Sequence, residues 1–323
     1  MNIEMIKAAA ARIGTNLHRT PLLSSTRLDD IAGRPVLVKA ECLQKTGSFK
    51  ARGGWSAVSA LSADQRARGV IAFSSGNHAQ GVAHAAREHG APAVIIMPSD
   101  APAAKIEGTK ALGAEVVLYE RGSEIREEIG DRLSSERGLT LIRPFDEPLV
   151  IAGQGTCGLE IAEQAAEQGV TDAQVLVCCG GGGLTSGIAL ALESEAPGLT
   201  VRPVEPEGFD DVRRSLASGG IERNNRMSGG LCDAILTPQP GDLTFPIMSR
   251  LCGPGLVVTE DEALRAMSLA FRHLHVVAEP GGAVALAAAL FHADKIEGDA
   301  VICTISGGNV DAPVFERALG KVD

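Results

Sequence analysis

Lys50 stands in the stretch Gly47-Ser48-Phe49-Lys50-Ala51-Arg52-Gly53-Gly54, after the apolar run Val36 to Glu41 and before helix-compatible residues, Trp55 to Leu61. Ser48 is placed to cap that helix, which puts Lys50 in its first turn. A cation is disfavoured at the positive end of a helix dipole. The same field, together with burial, lowers a lysine's pKa and frees its amine as a nucleophile. The plainer alternative is a solvated surface lysine. Three more stretches join an apolar run to a turn or helix. Ser74-Ser75-Gly76-Asn77-His78 offers amides and small hydroxyls to a carboxylate or phosphate, or is a serine-rich helix cap. Gly180, Gly181, Gly182 and Gly183 let the backbone wrap a monophosphate, or form a tight turn longer than a turn requires. That run matches neither GxGxxG nor GxxxxGK[ST]. Ser306-Gly307-Gly308-Asn309 ends the last apolar run, where a serine hydroxyl could bond a ring nitrogen; it also reads as a plain turn.

These groups need a scaffold that brings strand ends together. Short continuous apolar runs (Gly69–Phe73, Ala93–Met97, Glu115–Tyr119, Leu139–Ile142, Ala173–Cys179, Leu199–Val204, Leu256–Thr259 and Asp299–Ile305) alternate with helical stretches such as Asn77–His89, Ser123–Glu136, Val150–Gln168, Leu184–Glu193, Glu260–His273 and Gly281–Phe291. Continuous runs suit strands buried on both faces, and strand–helix repetition means parallel sheets. From Asp210 to Cys252 the pattern is weak. The expectation is an α/β chain of two intimately joined domains with a cleft between them.

Length and composition agree. The chain has 323 residues, 45% of them hydrophobic, with a formal net charge of -10. An acidic balance argues against a nucleic-acid or anionic-membrane partner. There is no membrane-length apolar run and no signal-peptide pattern, so a cytoplasmic protein is expected. The seven cysteines are scattered without a CxxC pair, which favours buried free thiols over zinc or disulfides.

Taken in order, the four stretches resemble those of fold-type II pyridoxal-phosphate enzymes, within the threonine/serine dehydratase and serine racemase group. The likeness runs from Arg19-Thr20-Pro21-Leu22 to Val310 and includes Ile151-Ala-Gly-Gln-Gly-Thr156 and Glu279-Pro280-Gly281-Gly282. It implies twisted, mostly parallel sheets flanked by helices, as in the tryptophan synthase β-subunit. Residues 1–62 with 147–323 would form a large cofactor-binding domain, and 63–146 a small substrate-side domain. Lys50 would hold pyridoxal 5'-phosphate as a Schiff base, Phe49 would pack beside the ring, and Asn77 would bond its phenolic oxygen. Gly180 to Gly183 would cradle the phosphate, and Ser306 would face the pyridine nitrogen. Ser74, Ser75 and Gln154 would surround the substrate, with Lys50 as base and Ser75 as acid/base on the opposite face. Glu205, the Phe209 carbonyl and Asp211 resemble the group's site for Mg²⁺ or another hard cation; an acidic surface turn is the alternative. Arg143 departs from the group, which often carries histidine there. It would face a substrate side chain or pair with Asp146 or Glu147.

The implied activity is dehydration of L-threonine or L-serine to a 2-oxo acid and ammonia. Alternatives are a 3-hydroxyaspartate dehydratase, a serine or aspartate racemase and, more remotely, a nicotinamide-dependent oxidoreductase. The chain ends soon after the catalytic stretches, which suggests a catabolic enzyme without a regulatory domain. The expected partners are an amino-acid substrate and a second copy of the chain, as a homodimer.

Overall fold

The computed structural model describes residues 1–321 except Ser75, Pro102, Arg121 and Met227. Its strands are β1 (Leu22–Leu23), β2 (Val36–Ala40), β3 (Val70–Phe73), β4 (Ala93–Pro98), β5 (Glu115–Tyr119), β6 (Thr140–Leu141), β7 (Ala173–Cys178), β8 (Leu199–Pro206), β9 (Leu256–Val258) and β10 (Val301–Ile305). Six of them form one sheet in the order β1-β2-β10-β7-β8-β9, and four form another in the order β5-β4-β3-β6. Every pairing is parallel except that of β1 with β2. The mostly parallel α/β architecture is therefore as expected.

The apolar runs are continuous because successive side chains feed two cores. Along β10, Val301, Cys303 and Ile305 face the Pro280–Phe291 and Glu260–Leu274 helices. Ile302 faces the Pro148–Glu167 and Gly183–Glu195 helices. In the smaller sheet Val70 and Ala72 point one way and Ile71 the other. The Pro280–Phe291 helix is apolar all round and buried from Pro280 to Leu290, as a helix enclosed on every side must be.

The small-sheet strands are contiguous in sequence, so the chain leaves the larger sheet after β2 and returns at β7. Between the sheets lies the Lys50–Ser59 helix. Its Ala51, Trp55 and Val58 share a core with Ile13 and Leu17 and with Val70, Ile95 and Met97 of the smaller sheet. Among the described residues no helix is long and apolar enough to cross a membrane.

Three local readings change. Ser48 does not cap the lysine helix. Phe49 already has helical angles (φ -54, ψ -20), so the serine sits one position too early, and its buried hydroxyl has no hydrogen-bond partner among the described residues. The helix expected from Ser123 begins at Arg126. The weak stretch after Asp210 holds two helices, Asp211–Ser218 and Thr244–Leu251. The first is capped from a distance, because the Glu205 carboxylate accepts from the amides of Val212 (2.8 Å) and Arg213 (2.7 Å).

Candidate active site

The motif loops converge because they leave the carboxyl ends of neighbouring parallel strands, where open α/β sheets bind ligands. β7 and β10 are adjacent, so the glycine loop and the Ser306 loop lie side by side. The lysine loop is tied to the second of these. Phe49 N donates to Ser306 O (3.1 Å), Gly308 N donates to Gly47 O (2.9 Å), and Ser48 bridges Gly307. A cavity of about 490 Å³ opens between them. Phe49, Lys50, Ser74, Asn77, Arg143 and all four glycines of the loop line it.

Lys50 Nζ donates to the carbonyl of Pro144 at 2.7 Å and lies 5.0 Å from the Phe49 ring centre. Among the described residues it has no carboxylate partner, and burial pushes its pKa down to about 8. At pH 7 about a tenth of the amine is then uncharged, far more than for an ordinary lysine. The neighbouring His78 is kept neutral, its pKa lowered to about 3 by burial and then by Lys50; its Nε2 meets Ile142 O at 2.9 Å.

The glycine loop needs glycine. A Cβ at Gly181 would lie 2.3 Å from the Phe145 ring, and one at Gly182, whose φ is +89, would lie 2.5 Å from Met248. The loop opens the Gly183–Glu195 helix, so free amides and the positive end of the dipole face the cavity. Thr185, in the helix's first turn, also lines it. Its buried hydroxyl sits beside the Cys179 thiol and has no hydrogen-bond partner among the described residues. Loop, helix end and spare hydroxyl together make an anion cradle.

The other expected residues divide. Ser74 Oγ accepts from Gly76 N (3.1 Å), closing its own loop. Asn77 donates to Glu279 Oε1 (2.6 Å) and accepts from Asn309 Nδ2 (2.8 Å). Arg143 is exposed and, among the described residues, makes no ion pair; the Asp146 carboxylate instead accepts from Leu243 N (2.8 Å) and Glu147 from Leu149 N (3.4 Å). Ser306 is buried beside Cys178, behind the lining. Gln154 is also behind it, against Gly53, with both amide ends unpaired among the described residues. Ser75 lies outside the described residues.

Glu205 and Asp211 are away from this cavity and buried. Burial and then Asp211 raise the Glu205 pKa, while burial lifts Asp211 to about 6. Asp211 Oδ2 has no partner among the described residues. No cluster of three or more His, Cys, Asp or Glu able to hold a metal occurs among the described residues.

Reading the sequence alone missed Thr185, Lys105, Arg126 and Glu279 as lining residues. Thr185 was accessible, being two positions after the glycine loop on a helix opening. Lys105 and Arg126 come from helices of the smaller sheet and reach the cavity only through the tertiary fold. Lys105 Nζ lies 3.6 Å from Asp233 Oδ2, linking the two sides.

A reactive lysine facing an anion cradle has close parallels. The profile of the pyridoxal-phosphate dependent enzyme family matches residues 13–308. The L-threo-3-hydroxyaspartate ammonia-lyase of Saccharomyces cerevisiae is 42% identical over 316 residues, covering 98% of this chain and 95% of that protein. The solved threonine deaminase of T.th. is 45% identical with a TM-score of 0.90, covering 96% of this chain and 99% of that one. Maize serine racemase is 37% identical with a TM-score of 0.90, covering 98% and 96%. Nothing in these likenesses supports a nicotinamide-dependent oxidoreductase. The chain belongs to the pyridoxal-phosphate-dependent enzyme family.

Proposed function

We propose that this chain is an ammonia-lyase that removes water from β-hydroxy amino acids, with L-threonine or L-serine as the default substrate. The observation that carries the reading is Lys50, a partly buried lysine without a carboxylate partner among the described residues, in a cavity shared with an anion cradle. The activities named for the relatives above support it.

The residues present fit pyridoxal phosphate. The four glycines and Thr185 offer amides and a spare hydroxyl to a phosphate, Phe49 offers an aromatic face and Asn77 an amide; Ser306, behind the lining, has its place at the ring nitrogen from the family likeness alone. When bound, the cofactor supplies a carbonyl that captures the substrate amine and a sink for the charge left on Cα. Lys50 is the group that holds it and, as a free amine, takes the α-proton. Ser74 lines the cavity and would meet the substrate carboxylate; the same role for Ser75, outside the described residues, and for Gln154, which does not line the cavity, comes from the family likeness. The Cβ–O bond then breaks, the hydroxyl leaves as water with a proton that balances the one Lys50 took from Cα, and the released enamine hydrolyses with one water to a 2-oxo acid and ammonia. Ser75 lies outside the described residues; the acid/base role that the family likeness carries to it would let racemisation accompany elimination.

Arg143 favours a second reading, 3-hydroxyaspartate. It lines the cavity without an ion pair among the described residues, so a second carboxylate would meet its guanidinium. Ammonia release from serine, threonine and threo-3-hydroxyaspartate tests both. Arg143→His should cut kcat/KM for 3-hydroxyaspartate roughly tenfold or more and leave serine nearly unchanged. If both fall together, Arg143 is structural. A wild type inert to 3-hydroxyaspartate removes the second reading, and one inert to all three overturns the lyase.

Three parts of the reading lie beyond the cavity. Mg²⁺ or another hard cation would sit between Glu205, the Phe209 carbonyl and Asp211; the orphaned Asp211 Oδ2 supports it. Residues 1–62 with 147–323 would form a large cofactor-binding domain, and 63–146 a small substrate-side domain. The seven free thiols support a reducing, cytoplasmic setting. There the chain would work as a homodimer.

A further inference from the structure

We infer that Glu279 and Asn309 are positioning residues that clamp the Asn77 side-chain amide in one orientation, so that its NH2 rather than its carbonyl serves the ligand held against Lys50. The inference rests on the reading of this cavity as the pyridoxal-phosphate site.

The two ends of an asparagine amide are nearly identical in shape and opposite in hydrogen-bonding character. Only the neighbours decide which end faces where. Asn77 opens the Asn77–Glu88 helix and lines the cavity. Its Nδ2 donates to Glu279 Oε1 at 2.6 Å, and its Oδ1 accepts from Asn309 Nδ2 at 2.8 Å. The Asn309 donor is itself pinned, because the same nitrogen donates to the Thr46 carbonyl at 2.8 Å. It also lies 3.5 Å from Gln80 Oε1. Turning the Asn77 amide over would set its carbonyl against the Glu279 carboxyl and its NH2 against the NH2 of Asn309. Two hydrogen bonds would become two repulsions.

The clamp is built rather than incidental. Glu279 is 5% exposed and is followed by Pro280, which opens the next helix and limits its backbone. Its carboxyl occupies the space that a side chain at position 307 would take, since a Cβ on Gly307 would lie 2.0 Å from Glu279 Oε1. This accounts for two members of Ser306-Gly307-Gly308-Asn309 that the assigned roles left unexplained. Gly307 makes room for Glu279, and Asn309 holds the far end of the amide. One Nδ2 hydrogen of Asn77 is used by Glu279, and the second remains for an acceptor oxygen in the cavity.

The test measures pyridoxal phosphate binding to the apoprotein by equilibrium dialysis, with the absorption band of the bound cofactor as a second readout. Glu279→Ala should raise Kd roughly tenfold, as for loss of a hydrogen bond to a carboxylate, and Asn309→Ala roughly fivefold, as for loss of a neutral amide pair, and both should move the band. Glu279→Gln, which keeps an acceptor, should stay within about threefold of wild type. In an Asn77→Ala background, Glu279→Ala should add nothing further, because the group it positions is gone. A purely structural Glu279 would weaken binding as much there as in the wild type, and that result overturns the clamp. So does wild-type binding by both alanine variants. If Glu279→Ala does not fold, Asn309→Ala and Glu279→Gln carry the same comparison. A wild type that takes up no pyridoxal phosphate overturns the cofactor reading and the clamp with it, a result distinct from loss of the clamp alone.

Discussion

Lys50 and Arg52 are two residues apart on one helix and face different surroundings. Arg52 is 1% exposed and sits in a knot of charge. Its Nε and Nη2 donate to the two Glu41 oxygens (2.7 and 2.8 Å), and its Nη1 donates to Glu160 Oε1 (2.7 Å). Glu160 Oε2 also accepts from Lys39 Nζ (2.6 Å). Burial alone would push Arg52 down, but Glu41 and Glu160 outweigh it and raise its pKa. Burial likewise pushes Glu41 up, and Arg52 outweighs it, so that carboxyl is held low. Lys50 has the burial without the carboxylates, and its pKa falls to about 8. Enclosure by itself does not activate a base. Enclosure with counter-charges makes an anchor, and enclosure without them makes a nucleophile. The anchored side holds the helix while the other side presents the amine.

Removing each group should therefore act on different quantities. The largest effect belongs to Lys50→Met, which should lower ammonia release by more than about 1,000-fold, since the base and the group holding the cofactor go together. The same change should stabilise the apoprotein at pH 7. The folded pKa of Lys50, about 8, lies below the ordinary 10.5. The unfolded state therefore binds the extra proton between those values, and wild-type stability should rise with pH across that window. Urea unfolding of both proteins at pH 7 and 10 checks this, and a variant that keeps normal turnover would end the assignment.

Arg52→Met should do the reverse. It leaves Glu41 buried without its guanidinium partner and Glu160 with Lys39 alone, and should cost about 3–5 kcal/mol in urea unfolding at pH 7. Activity per folded molecule should fall far less than in Lys50→Met. The acid side sharpens the point. Because the Glu41 pKa is lowered from 4.5, the stability it contributes is complete above that value and is lost as pH falls through the lower folded pKa. The gap between wild type and Arg52→Met should narrow below pH 4.5, and a gap independent of pH would show that the pair does not carry it.

Glu205 and Asp211 form the mirror image of Lys50, two carboxyls whose pKa burial raises and which make no ion pair among the described residues, though Arg214 pulls Asp211 part of the way down. If a hard cation relieves them, a chelator should lower the unfolding midpoint and Mg²⁺ should restore it. At a hundredfold excess over Kd the shift is about 2.7 kcal/mol, the smallest effect expected here. Indifference to chelator in metal-free protein would leave Glu205 as the distant cap of the Asp211–Ser218 helix and nothing more.

Much of this molecule is legible in local sequence because strands and helices are local. β7 and β10 are continuous apolar runs because both faces are buried, and a window of a few residues shows it. The four glycines and Lys50 stand out for the same reason, since their chemistry belongs to residue type and to immediate neighbours. What required the tertiary structure is pairing between distant positions. Glu279 meets Asn77 across 202 positions, and Glu160 meets Arg52 across 108. Glu205 caps a helix that has no cap of its own. Ser48 and Gln154 carry suggestive types, yet one sits a residue too early and the other behind the wall. The activation of Lys50 is also a tertiary property. It depends on which carboxylates are kept away from the amine, and a sequence can place a lysine at a helix start without stating what the fold will leave beside it.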